Sequence, residues 1–94
     1  MKPEISQIII SVLSDYNPEM IGVFGSFARG EENNQSDIDI LVRFKTAISL
    51  LKIIHIEHLL SKKLGLKVDL VTEGALKNQI VRESVYRDLR VIFQ

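Results

Sequence analysis

The chain reads as an α/β domain (α+β in its mixed connectivity) with helices packed on a small mixed sheet. Three observations predict this. Runs of apolar and β-branched residues at 19–24, 38–44 and 67–71 have the length of strands. Around them, apolar residues recur at helical spacing over about 3–16, 46–64 and 76–86. Breakers fall where the pattern changes, with Asn17-Pro18 before the first strand and Gly65 before the third.

Taken in order, Pro3 suits the first turn of a helix, where its missing N–H is not needed. Ile5, Ile8, Ile9, Val12 and Tyr16 then form one apolar face. After the strand at 19–24, a short helix opens at 26–29, and 30–35 is the most polar run of the chain. Thr46 is the expected cap of a long helix that runs to Leu64 and stops at Gly65. One broad side of it carries Ala47, Leu50, Leu51, Ile53, Ile54, Leu60 and Leu64, and a second stripe carries Ile48, Ile56 and Leu59. A helix apolar on two sides is deeply buried or covered by a partner, and so small a domain favours a partner or an oligomer contact through 46–64. Thr72 is the expected cap of the last helix, where Leu76, Ile80, Val81 and Val85 repeat loosely. Residues 90–93 fit either a short final strand or the end of that helix.

Composition narrows the function classes. The 94 residues make one domain, 1–94. Lysine plus arginine equals aspartate plus glutamate at 12 each, so no basic surplus draws the chain onto nucleic acid or anionic lipid. Four phenylalanines, two tyrosines and no tryptophan give little base-stacking surface. The absence of cysteine excludes disulfides and thiolate zinc sites. The apolar run 8–10 is too short for a signal-peptide core or a membrane span, so a cytoplasmic location is the default expectation.

The informative stretch is Gly25-Ser26-Phe27-Ala28-Arg29-Gly30, followed after a polar loop by Ser36-Asp37-Ile38-Asp39. Residues two apart on a strand share a face, so Asp37 and Asp39 point the same way, about 7 Å apart. Paired carboxylates on an apolar strand repel and lose solvation, which a divalent cation with hard oxygen ligands relieves. Mg²⁺ is the cation that usually arrives with phosphates. Gly25 leaves a strand where backbone can approach a ligand closely. Ser26 opens a helix whose free N–H groups suit phosphate oxygens. Arg29 fits a phosphate contact and equally a local ion pair with the neighbouring glutamates. His55 and His58, three apart without a third ligand nearby, read as ordinary helix-surface residues, as does Arg43 on its strand.

Gly25-Ser26, ten intervening residues and Asp37-x-Asp39 together resemble the signature of the polymerase-beta-like nucleotidyltransferase superfamily. The fuller string is similar to its minimal nucleotidyltransferase (MNT) branch, small single domains found beside a HEPN-domain partner. The resemblance covers nearly the whole chain, because Lys67-Val68-Asp69-Leu70-Val71 falls where that family has its third carboxylate strand.

The resemblance implies a Mg²⁺-dependent transfer of a nucleoside monophosphate, AMP from ATP, onto a hydroxyl with release of pyrophosphate. Asp37, Asp39 and Asp69 would be catalytic and hold one or two Mg²⁺ ions. Gly25, Ser26 and Arg29 would bind the nucleotide phosphates, and Asp69 would help deprotonate the acceptor. No additional substrate domain and no basic surface are present, so an acceptor on a second protein is the simplest expectation. The family implies the same, an antitoxin paired with a HEPN toxin that receives AMP on a tyrosine. Two rivals stand beside this. One is a non-catalytic antitoxin that masks its partner, which gains nothing from three repelling acids. The other is transfer to a small molecule or an RNA end presented by a separate chain.

Overall fold

The computed structural model describes residues 1–94. In chain order the elements are helix α1 (Pro3–Leu13), strand β1 (Pro18–Phe24), short helix α2 (Gly25–Arg29), strand β2 (Ile38–Phe44), helix α3 (Leu50–Leu64), strand β3 (Val68–Thr72), helix α4 (Gln79–Asp88) and strand β4 (Arg90–Phe93). Single 3-10 turns at Ser14–Tyr16 and Glu73–Ala75 join α1 to β1 and β3 to α4. No helix is long and apolar enough to cross a membrane.

The sheet is four-stranded and mixed, in the order β3-β2-β1-β4. β1 runs antiparallel to β2 and β4, while β2 and β3, joined through α3, are parallel. Both central strands are apolar almost throughout because both sheet faces are covered. On one face α1 and α3 bury Ile9, Leu13, Ile56 and Leu60 against Ile21, Val23, Ile38, Ile40 and Val42. Each such side chain stabilises the fold by about 1.5–3 kcal/mol. On the other face α4 lays Val85 over Met20 and Leu41, with Phe24 and Leu89 alongside. A Cβ on Gly22 would stand 2.5 Å from Leu89 Cδ1, so this glycine lets the α4–β4 corner close onto β1.

The two sheet edges differ. The amides of Val68 and Leu70 in β3 donate to Ser61 Oγ (2.9 Å) and Glu57 Oε2 (2.8 Å), both on α3. β4 has no such cover, and its Val91 and Phe93 are exposed.

Several expectations are corrected. α3 starts at Leu50, capped by Ser49, whose hydroxyl accepts from the Lys52 amide at 3.2 Å; Thr46 lies upstream of the helix. The packing stripe of α3 is Ile53, Ile56 and Leu60, spaced three and four apart, so Ile56 belongs to the main stripe. Leu50, Leu51 and Ile54 point outward instead, with Leu51 80 % exposed. Thr72 makes no capping bond and precedes only the 3-10 turn. Asn78 caps α4 instead, its Oδ1 accepting from Ile80 and Val81 at 2.9 and 3.2 Å. Residues 90–93 are a strand.

Candidate active site

The site is built where β1 ends and β2 and β3 begin. Register places Phe24 of β1 opposite Asp39 of β2, and Asp39 opposite Asp69 of β3. Paired residues on neighbouring strands project to the same face, so these three make one row across the sheet, on the side that carries α4. Asp37 lies just before β2, and its charge acts on Asp39. Since no polar or charged residue of the chain is fully buried, these acids keep contact with water.

Gly25 follows Phe24 directly and has φ +72°, a backbone conformation that other residues adopt at a cost. A Cβ there would lie 2.3 Å from Asp39 Oδ2. Space and dihedral thus require glycine independently, and they bring the turn against the central carboxylate. Ser26 is the next residue, half-buried in the first turn of α2. Phe27 and Ala28 anchor that helix in the core, and Gly30, also left-handed, ends it. The polar loop folds on itself before Asp37. The Asn33 amide donates to Ser36 Oγ (2.8 Å), and the Gln35 amide to Asn33 Oδ1 (2.8 Å).

Electrostatically, the row is strained. Burial pushes the Asp39 carboxyl above its usual range, and the charges of Asp69 and Asp37 push the same way, against a smaller opposing pull from Arg29. Asp37 Oδ2 lies 3.8 Å from the exposed Lys67 Nζ. Arg29 is held by Glu31 Oε1 (2.7 Å) and by Asp88 Oδ2 (2.6 Å), so its charge is already shared by two carboxylates while it borders the site. His55 and His58 are exposed on α3.

The donor set fits a hard divalent cation, with Asp39 and Asp69 on one face, Asp37 just before the strand and a glycine turn beside Asp39. The side chains do not form a closed cage, since no three acidic or histidine groups stand close enough to hold one ion as arranged.

A cleft of about 460 Å³ opens beside Asp39, bounded by Gly25, Arg29 and the α4 residues Ile80, Val81 and Ser84. Sequence reasoning did not assign these α4 residues to the site. Their signal was the apolar repeat ending in Val85, which shows that one side of the helix faces the sheet but not which end of the sheet it reaches. Arg43 was read as surface; it is half-buried and donates to Glu73 Oε2 (3.2 Å), which also accepts from the Tyr86 hydroxyl.

Comparison with known proteins places the fold. The nucleotidyltransferase domain family matches residues 5–92. The protein adenylyltransferase MntA of Thermococcus cleftensis is 53% identical over 70 residues, 70% of this chain and 71% of its own length. A minimal nucleotidyltransferase of known structure is 34% identical with a TM-score of 0.77, over 90% of this chain and 86% of that one. Two toxin–antitoxin crystal structures share the fold. One, with AMP-PNP, has a TM-score of 0.83 at 24% identity, over 94% of this chain and 72% of that one. The other holds a tri-AMPylated HEPN toxin and MNT antitoxin of Shewanella oneidensis, with a TM-score of 0.79 at 22% identity, over 99% and 72%. With the family model spanning nearly its whole length, the chain belongs to the nucleotidyltransferase domain family, in the minimal nucleotidyltransferase group, and is a nucleotidyltransferase by class.

Proposed function

We propose that this protein transfers AMP from ATP to a hydroxyl on a partner protein of the HEPN toxin type, and so acts as its antitoxin. The observation that carries the reading is the row Phe24–Asp39–Asp69 with Gly25 pressed against Asp39, which sets a tight glycine turn beside paired acids. The MntA relative, named a protein adenylyltransferase, and the AMPylated toxin–antitoxin complex with the same fold support the acceptor class.

The backbone of Gly25 and Ser26, with the Ser26 hydroxyl, would hold the β- and γ-phosphates. Arg29 would border them with the charge that Glu31 and Asp88 leave available. Asp37, Asp39 and Asp69 would hold one or two Mg²⁺ ions, whose charge offsets that of the phosphates and stabilises the attacking and leaving oxygens. The acceptor oxygen bonds the α-phosphorus as the bond to the bridging oxygen breaks. Pyrophosphate leaves with the bonding pair, and the hydroxyl proton passes to the exposed Asp69 carboxylate. The exposed Leu50, Leu51 and Ile54 of α3 provide an apolar surface for the partner.

That same surface favours a second reading, neutralisation by masking alone. The test is incubation with a candidate HEPN-type partner, Mg²⁺ and ATP labelled at the α-phosphate, beside an Asp37→Asn, Asp39→Asn variant. Label on the partner that disappears with the variant is expected. Full neutralisation by the variant, with no label from the wild type, would establish masking and reject transfer.

A further inference from the structure

α4 is a polar helix with one exception. Gln79, Glu83 and Arg87 face outward and the half-buried Arg82 lies over Tyr86, while Val81 and Val85, four apart, and Ile80 and Ser84, also four apart, form two adjoining rows. The first row begins in the core at Val85 and emerges from it at Val81, which is 49 % exposed; Ile80 is 78 % exposed. A single exposed aliphatic residue is unremarkable, but these two stand on the rim of the cleft that contains Gly25 and Asp39. Phe24, directly before the glycine turn, lines the same cleft. The backbone of this wall is held in place, since the Asn78 side chain accepts from the amides of Ile80 and Val81 themselves.

We propose that the α4 wall is the nucleoside subsite, with Ile80 and Val81 covering one face of the base and the Ser84 hydroxyl the neutral polar group facing the sugar or base edge. This deepens the reading above and rests on it. A triphosphate anchored at Gly25 and Asp39 carries its nucleoside within reach of whatever borders Asp39, and on that side the border is aliphatic. A cleft of about 460 Å³ is of the size that encloses a small ligand. An aliphatic wall gains more from a purine than from a smaller pyrimidine, and it selects by ring area more than by hydrogen-bond pattern.

The test compares ATP with inorganic tripolyphosphate, each measured by calorimetry with Mg²⁺ on the full chain. In an Ile80→Ser, Val81→Ser variant, ATP affinity is expected to fall roughly tenfold while tripolyphosphate binds as before, and the wild type's preference for ATP over CTP should shrink. Both positions are exposed, and the single Ile80→Ser variant, expected to show a smaller loss of the same kind, serves if the double variant melts early. Unchanged ATP affinity, or equal weakening of both ligands, overturns the inference. So does unchanged ATP affinity together with loss of partner labelling, which would give the patch to the protein partner. Failure of the underlying reading looks different. The wild type would then bind neither ligand, or Asp39→Asn would alter neither affinity, and the subsite would fall with it.

Discussion

Strand β2 carries two charged side chains on the α4 face, Asp39 and Arg43, with the buried Leu41 between them. At the Arg43 end, opposite charges meet. Glu73 accepts from Arg43 and from Tyr86, Arg43 Nε lies 3.5 Å from Glu19, and Arg82 stands 5.2 Å from the centre of the Tyr86 ring. The hydrogen bond from Tyr86, then that from Arg43 and the nearby guanidinium charges, hold the Glu73 carboxyl below its usual range. At the Asp39 end, burial and two like charges hold the carboxyl above its usual range. Arg43 Nε is buried without a hydrogen bond, so even the first cluster is imperfect, but its charges alternate and those of the second do not. Perturbed carboxylates of this kind gather at functional sites, and the proposed ligand site lies at the end of the strand where like charges stand together.

The contrast is open to direct tests. The largest effect is expected from Asp39→Asn, which should reduce AMP transfer by at least a hundredfold while leaving the melting temperature equal or higher, because a strained charge is removed. A clear drop in melting temperature would show that Asp39 is structural. Gly25→Ala should cost about 1–2 kcal/mol in a denaturant titration, from its left-handed backbone alone, and should also abolish transfer by displacing the Asp39 carboxylate. Glu73→Gln should cost about 1 kcal/mol with transfer retained, since its partners lie at the other end of the strand.

The pH dependence of stability should separate the two acids further. Glu73, lowered in the folded chain, stabilises above the unfolded carboxylate pKa, and that contribution is lost as pH falls through its folded value. Asp39, raised in the folded chain, favours folding below the unfolded pKa, and that contribution is lost as pH rises through its folded value. Melts across the acid range should therefore show Glu73→Gln flattening the loss on acidification, and Asp39→Asn flattening the loss on the rise toward neutrality. The smallest effect belongs to Lys67→Ala. Its exposed ammonium, 3.8 Å from Asp37, should contribute less than about 0.5 kcal/mol to stability.

Much of this arrangement was legible in the sequence. The β-branched content of β1 to β3 marked the strands, and Gly25-Ser26 with Asp37 and Asp39 marked the turn and the acids, because backbone freedom and charge on apolar strands are local properties. The alignment of Asp69 with Asp39 was expected only through the family resemblance; parallel pairing across α3 is a tertiary outcome. The start of α3 was misjudged because Ala47 and Ile48 extend the apolar pattern upstream, although Ile48 reaches the core from outside the helix. The α4 wall and the Glu73 cluster were missed for a common reason. Glu73 meets Arg43 and Tyr86 across thirty and thirteen positions, and no local pattern encodes such a meeting.

Ser61 and Glu57, by occupying two outward amides of β3, do more than fasten a helix. A sheet with two open flanks is able to add copies without end, whereas here the β3 flank is partly closed and β4 is the more open one. Joining through β4 would use up the more open flank of each molecule, which favours a pair over a fibre.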